Sequence, residues 1–191
     1  MAEADIAETL KEKLDEIPEP FICLVVTPTE KYQSVNFELL KYMIDEKKIP
    51  GVYITVNKPY GVIKRRFEDF VDTRMVIFID AVTRASGGKL REEEGVLYID
   101  SPKSLTDISI AISEAAQSIP EGKKFILFDT LSTLLLYNSA GTVARFTHFL
   151  IGRMRMWGAE GALLSLEKET GETVISQISQ FCDATIYIGK E

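Results

Sequence analysis

Short apolar runs alternate with longer amphipathic segments along the chain. The runs are rich in β-branched and aromatic residues. They lie at 21–27, 51–56, 75–80, 95–100, 124–129, 161–166 and 184–188. A run that is apolar on both faces is typical of a strand that helices cover on both sides of a sheet. The pattern therefore predicts six or seven short, buried strands.

The segments between these runs carry apolar residues at helical spacing. The helices that this spacing predicts cover 4–17, 33–47, 59–70, 105–115, 143–157 and 172–181. Pro59 suits the first turn of the third helix. Ser101 and Pro102 are typical of a cap and first residue, so we expect the fourth helix to begin there. Gly158 is typical of the end of a long helix.

Strands and helices that alternate at this spacing predict right-handed βαβ crossovers. The predicted fold class is therefore α/β, with a mostly parallel twisted sheet between two layers of helices. We expect a single domain over residues 1–191, with an amphipathic helix in residues 1–20 and the α/β core in residues 21–191. A flavodoxin-like sheet commonly needs only about five strands, so the larger number of runs argues against that alternative.

Composition narrows the function classes. The 22 basic and 29 acidic residues give a net charge of −7, which disfavours wrapping of nucleic acid. Cys23 and Cys182 lie in or beside apolar runs, and we expect buried thiols without chemistry. Residues 1–14 lack the apolar core of a signal peptide, and the apolar runs are too short to span a membrane. We therefore expect a cytoplasmic protein without membrane contact.

Three segments carry the first specific signal of a family. They are FICLVVTPTEKYQSVNFELLKYMI, GVYITVNKPYGVIKRRFEDF and KKFILFDTLSTLLLY. In this order they resemble the RecA superfamily, in particular its archaeal and bacterial KaiC-like branch. There the first segment holds the P-loop, the second holds the second strand with the catalytic glutamate after it, and the third is the Walker B strand. The resemblance covers nearly all of the chain after residue 20, and it implies a RecA-like P-loop NTPase fold.

The resemblance also implies that the P-loop motif is degenerate. The family pattern is Gly-x-x-x-x-Gly-Lys-Ser/Thr. Thr27 takes the place of the first glycine, Tyr32 of the second, Gln33 of the lysine and Ser34 of the Ser/Thr, so only Ser34 matches. Glycines let backbone N–H groups turn toward the phosphates, and the lysine supplies a fixed cation. Lys31 lies two residues before the lysine position. We expect these five residues, together with Asp129, to form a vestigial nucleotide site.

Of the two carboxylates in the family's site, this sequence retains one and lacks the other. Asp129 takes the place of the Walker B aspartate, and it is the one residue expected to meet a metal if any does. An aspartate that ends a buried strand is also an ordinary turn or helix cap, and both roles stay open. The catalytic glutamate belongs after the second strand. Asn57 and Lys58 stand there instead, and neither can act as a carboxylate base.

Together these departures imply a catalytically degenerate RecA/KaiC-like protein, a pseudo-ATPase that acts as a protein-interaction or regulatory subunit. The expected partners are proteins, among them further copies of the chain or related RecA/KaiC-like subunits in an oligomer, and no cofactor is expected. One alternative is a weak or atypical ATPase that binds Mg-ATP, with Lys31 as the cation and Glu30 or Asp129 arranging water and metal. Another is an accessory recombinase paralogue that contacts single-stranded DNA.

Two further motifs are assigned no binding or catalytic role. Lys64, Arg65 and Arg66 form either a small nucleic-acid or partner patch or a solvated helix face, and the solvated face is the preferred interpretation. Gly87–Lys89 has the glycines and the lysine of a phosphate loop. No apolar strand runs directly into it and no helix clearly starts after it, so we expect a flexible loop.

Overall fold

The structure, a computed structural model, describes residues 3–90 and 93–189, and its centre is a sheet of parallel strands. The sheet has seven strands in the order β4-β3-β2-β5-β6-β1-β7. Every pairing between neighbours is parallel. The strands are β1 (Ile22–Thr27), β2 (Gly51–Thr55), β3 (Val76–Asp80), β4 (Val96–Tyr98), β5 (Phe125–Asp129), β6 (Glu160–Leu166) and β7 (Ala184–Tyr187).

Helices connect the strands and cover both faces of the sheet. They are α1 (Glu3–Asp15), α2 (Tyr32–Lys41), α3 (Tyr60–Phe67), α4 (Leu105–Ser118), α5 (Leu131–Leu134), α6 (Ala140–Met156), α7 (Glu167–Thr170) and α8 (Glu172–Ser179). A π-helical turn over Tyr42–Glu46 continues α2. A 3₁₀ turn over Thr73–Met75 leads into β3. None of the helices within residues 3–90 and 93–189 has both the length and the apolarity that a bilayer span requires.

Alternate side chains of the strands divide the core into two layers. On β1, Cys23 and Val25 pack with α1, α2 and α3, whereas Leu24 and Val26 pack with α4, α6 and α8. Residues i and i+2 of a strand point to the same face, so each strand contributes alternate side chains to the two layers. The fold class is therefore the three-layer α/β architecture that the sequence predicts.

Most boundaries agree with the sequence pattern, and the start of α4 does not. The prediction placed Ser101 and Pro102 at that start, and this is wrong. The hydroxyl of Ser101 instead accepts a hydrogen bond from the backbone N–H of Lys103 at 3.1 Å, within a local turn. Ser104 is the actual cap, because its hydroxyl accepts from the N–H of Asp107. The one-turn helices α5 and α7 were not predicted.

The end of α6 agrees with its prediction. Gly158 has a φ of +61°, a conformation that glycine adopts without steric cost. In that conformation the next residue, Ala159, donates its N–H to the carbonyl of Met154 at 3.0 Å and closes the helix. The chain then enters β6 directly, between β1 and β5.

Candidate functional site

The turn that follows β1 is short and is closed by its own hydrogen bonds. It consists of the four residues between Thr27 and Tyr32. The N–H of Lys31 donates to the carbonyl of Pro28 at 3.0 Å, and the N–H of Tyr32 lies 3.4 Å from the carbonyl of Thr29. Pro28 has no N–H. Of the described non-glycine residues only Lys48 has a positive φ, so the backbone here does not alternate between right- and left-handed conformations, as an anion cradle does.

Asp129 lies fully buried at the carboxyl end of β5 and accepts hydrogen bonds from three side chains. The Tyr32 hydroxyl donates to Oδ1 at 2.6 Å. The Tyr53 hydroxyl donates to Oδ2 at 2.6 Å, and the side-chain amide of Asn36 donates to the same oxygen at 3.1 Å. Asn36 also contacts the Tyr53 hydroxyl at 2.6 Å. Both carboxylate oxygens are therefore occupied by the protein's own donors.

Burial controls the protonation of this cluster. Burial raises the pKa of Asp129, although the hydrogen bonds from Tyr32, Tyr53 and Asn36 oppose the rise. Burial and the nearby carboxylate also raise the pKa of Tyr32 and that of Tyr53. Both phenols therefore keep their protons at physiological pH and remain hydrogen-bond donors to Asp129.

The segment after β2 closes the cluster from a third side. The side-chain amide of Asn57 donates to the Tyr32 hydroxyl at 3.1 Å. The Lys58 ammonium lies 5.4 Å from the centroid of the Tyr32 ring, and its charge opposes the rise in the pKa of Asp129. The Thr55 hydroxyl fixes this segment, because it donates to the Lys58 carbonyl at 2.6 Å. The structure thus brings Tyr32, Asn57, Lys58 and Asp129 together.

The other residues of the predicted site point elsewhere. Lys31 extends toward β7, where its Nζ is 2.8 Å from the Cβ position that a side chain at Gly189 would take. Gln33 is exposed and accepts a hydrogen bond from Arg66 at 2.5 Å. Ser34 is half-buried on the first turn of α2, and Glu30 is exposed.

Thr27, the remaining residue of the predicted site, is fully buried at the end of β1, and its hydroxyl contacts the carbonyl of Pro28 at 3.3 Å. Thr27 is thus enclosed by the strand end and its own turn.

Asn36 and Tyr53 are members of the cluster that the sequence analysis did not identify. Tyr53 stands in an apolar strand, where an aromatic residue is read as core. Asn36 lies four residues after Tyr32, on the same face of α2 as the buried Val35 and Leu39. An asparagine within an apolar helix face was the available signal. Its Oδ1 is buried without a hydrogen-bond partner, so the cluster is polar but incompletely satisfied.

Metal ligands and thiols add little to the site. Within the described ranges, no group of three or more His, Cys, Asp or Glu side chains could hold a metal ion. Cys23 is buried, and burial raises the pKa of its thiol. Cys182 is only half-buried, which differs from the prediction, and burial raises the pKa of its thiol to about 12. Neither thiol is activated as a nucleophile.

Comparison with known proteins identifies the fold. The model of a family of unknown function (DUF7504) matches residues 27–188. No curated protein matches the chain by sequence. Among solved structures, a KaiC-like protein from the archaeon Pyrococcus horikoshii OT3 has a TM-score of 0.62 at 13% identity, over 90% of this chain and 72% of that one.

An uncharacterized protein from P. horikoshii, solved in complex with an unknown peptide, has a TM-score of 0.68 at 13% identity, over 94% of this chain and 82% of that one. The fold is therefore the RecA-like P-loop NTPase fold of KaiC-like proteins.

Proposed function

This chain belongs to DUF7504, a family of unknown function, and from its site we propose that it is a catalytically degenerate RecA/KaiC-like protein that acts as a protein-interaction or regulatory subunit. Fold alone does not decide function, so the proposal depends on the site. The single observation that carries it is the hydrogen bond from the Tyr32 hydroxyl to Asp129, 2.6 Å long.

The first support is the shape of the turn after β1. A triphosphate needs several N–H groups that converge on one point, together with a fixed cation. In this turn the N–H groups of Lys31 and Tyr32 are used by the carbonyls of Pro28 and Thr29. The Lys31 amine lies beside Gly189, and the Gln33 side chain that replaces the family's lysine is neutral. Such a turn offers little to the charge of a nucleotide.

The second support is the occupation of Asp129. In an active site of this fold the Walker B carboxylate faces magnesium and its water shell. Here Tyr32 comes from the position of a P-loop glycine, and its ring leaves the buried carboxylate no exposed surface. A magnesium ion would have to displace the Tyr32 and Tyr53 hydroxyls. Their removal would leave buried polar groups unpaired, at a cost of about 1–3 kcal/mol each.

The third support is the lack of a base. Hydrolysis needs a group that orients and deprotonates the attacking water. After β2 the side chains are the Asn57 amide and the Lys58 ammonium, and Asn57 already donates to Tyr32. Both the binding and the chemical functions of the site are therefore weakened at the same time.

Exposed apolar side chains after α5 and on α6 support a role in protein interaction. Leu136 and Tyr137, in the segment after α5, are 78% and 48% exposed. On α6, Phe149 and Met156 are 55% and 80% exposed, and they lie on the same face of the helix because they are seven residues apart. Neighbouring exposed apolar side chains, such as Leu136 with Tyr137, are typical of interaction surfaces when they form a contiguous patch. One structural neighbour was solved with an unknown peptide, which agrees with protein binding on this fold.

ATP turnover tests the degenerate site. We expect phosphate release from Mg-ATP by the purified full chain to equal that of the Asp129→Asn variant and of a protein-free blank. Turnover that is present in the wild-type chain and absent in Asp129→Ala or Gln33→Ala would overturn the proposal. Such turnover would instead favour a weak ATPase in which Lys31 supplies the cation and Glu30 arranges the water.

Sedimentation over a range of protein concentrations tests the interaction role toward a second copy. We expect a reversible oligomer that Leu136→Ser and Met156→Ser weaken. The control is Ile110→Ser on α4, which removes an equally apolar side chain that is 52% exposed. A chain that stays monomeric at all concentrations would contradict self-association and leave related RecA/KaiC-like subunits as the proposed partners.

A further inference from the structure

Two motifs that the sequence analysis assigned no chemistry border one cavity. The cavity has a volume of about 280 Å³ and lies at the carboxyl ends of β2, β3 and β4. The first turns of α3 form one wall, and Arg65 extends from it. The segment after β3 forms the opposite wall and contributes Gly88 and Lys89, while Tyr98 closes the end at β4. Carboxyl ends of parallel strands are the usual place for ligands in α/β folds.

Arg65 and Lys89 are two cations without a carboxylate partner in the described residues. The neighbouring basic side chains are engaged. Lys64 pairs with Glu93 at 2.7 Å, and Arg84 pairs with Asp100 at 2.8 Å. Arg66 donates to Gln33. In a chain with a net charge of −7, two free cations that line the same cavity are a local exception to the overall charge.

The oxygens of one carboxylate beside this cavity, that of Asp80, are occupied by hydrogen bonds within the protein. Asp80 is fully buried at the end of β3 and accepts from the N–H groups of Tyr60, Val82 and Thr83 at 2.7–2.9 Å. The Thr83 hydroxyl donates to it as well, at 2.5 Å. Asp80 therefore fixes the start of α3 against the segment after β3. The nearby carboxylate of Glu93 accepts hydrogen bonds from the Tyr60 hydroxyl and the Lys64 ammonium.

The walls leave room for a ligand. A Cβ built at Gly61 would meet nothing within 4 Å, so the cavity is open at the first turn of α3. The N–H of Gly88 donates to the Thr83 carbonyl at 2.8 Å and fixes the position of Lys89 along the wall. The Tyr98 side chain is half-buried and offers an aromatic surface.

We propose that this cavity binds a small phosphorylated molecule, with the phosphate between Arg65 and Lys89 and the remainder of the ligand against Tyr98. A phosphate dianion matches two unpaired cations in charge, and arginine and lysine are its common ligands in proteins. The cavity volume is close to the lower limit of about 300 Å³ for small-molecule pockets, so the ligand must be small. This site is separate from the turn after β1 and does not depend on ATP hydrolysis.

Amide chemical-shift titration of the ¹⁵N-labelled full chain tests the site. Inorganic phosphate and a simple phosphomonoester, phenyl phosphate, are titrated in parallel to tens of millimolar. We expect saturable shifts at Gly61, Gly88 and Lys89. Arg65→Ala and Lys89→Ala should each weaken binding by about tenfold, which is typical for the loss of one charge-assisted hydrogen bond. The control Arg84→Ala removes the same charge from the same surface and should change the affinity less than about twofold, because Arg84 pairs with Asp100.

Lowering the pH separates phosphate recognition from a general attraction of anions. A phosphomonoester loses its second charge below about pH 6, so binding of phenyl phosphate should weaken between about pH 7 and 5, while sulfate binding should not. A lack of saturable shifts at this cavity, or an equal effect of Arg65→Ala and Arg84→Ala, would overturn the inference. Shifts confined to residues 28–34 would overturn it too, and they would also contradict the proposed function.

Discussion

Removal of one hydroxyl group, in Tyr32→Phe, perturbs the contact on which the account depends. The variant keeps the ring, which is 5% exposed, and removes the donor to Oδ1 of Asp129. The buried carboxyl then loses one of its two tyrosine donors. The Asn57 amide also loses its acceptor on the same hydroxyl, but it is half-buried and can bond to water.

The size of the effect follows from the burial of Asp129. A hydrogen bond contributes about 1 kcal/mol between neutral groups and about 1.5–3 kcal/mol when one partner is charged. Asp129 is fully buried and water cannot replace the lost donor, so we expect Tyr32→Phe to lower the free energy of unfolding by about 2 kcal/mol. For a chain of this length that corresponds to a melting temperature about 4–8 °C lower.

Urea unfolding followed by circular dichroism measures the difference, with Tyr42→Phe as the matched control. Tyr42 is equally buried, and its hydroxyl donates to Asp15 at 2.7 Å, but the Asp15 side chain is 51% exposed. Water replaces that bond, so the control should lose less than about 1 kcal/mol. If the two variants lose the same free energy of unfolding, or if Tyr32→Phe loses none, then the contact with Asp129 does not hold the site closed.

Three further predictions test the protonation and packing around the sheet. Burial raises the pKa of Asp129, so the folded state binds a proton that the unfolded state has released above about pH 4. The stability of the wild-type chain relative to Asp129→Asn should therefore fall as the pH rises above about 4 in urea titrations, and parallel curves would contradict the raised pKa. Lys47 pairs with Glu19 and lies 3.1 Å from Oε2 of the buried Glu160, without the alignment of a hydrogen bond. Lys47→Met should lower the free energy of unfolding by about 3–5 kcal/mol, because it leaves the Glu160 charge buried without a partner. The double variant Lys47→Met/Glu160→Gln should lose clearly less, and equal losses in the two variants would contradict this explanation. A Cβ at Gly51 would lie 2.3 Å from the Phe125 ring, so Gly51→Ala should lower the melting temperature and Gly61→Ala, at an open helical position, should not.

The fold could be predicted because its signal is local. Seven apolar runs mark the strands, and helical spacing marks the helices that cover them. The helix starts are harder because two serines compete for the same role. Ser101 and Ser104 both precede α4, and only the turn that Ser101 forms with Lys103 decides between them. One-turn helices such as α5 carry too few residues to show a period.

The candidate site could be predicted only in part, because its contacts join distant residues. The sequence analysis placed Tyr32 and Asp129 in one site through the family alignment. It could not predict that the two side chains, 97 residues apart, bond directly. Tyr53 and Asn36 were missed because a tyrosine in a strand and one asparagine on a helix look like core. Arg65 and Lys89 were assigned no role, since only the tertiary structure places them around one cavity.

The most direct test of the account is equilibrium binding of Mg-ATP, measured by isothermal titration calorimetry and thermal shift. The Arg65→Ala/Lys89→Ala double variant is used alongside the wild-type chain, so that binding in the cavity beside α3 is distinguished from binding at the turn after β1. We predict no heat of binding and no stabilisation in the double variant at millimolar Mg-ATP. Saturable binding of Mg-ATP to the double variant would contradict the claim that Tyr32 closes the nucleotide site. At a hundredfold its dissociation constant, such a ligand would raise the stability by roughly 2.7 kcal/mol.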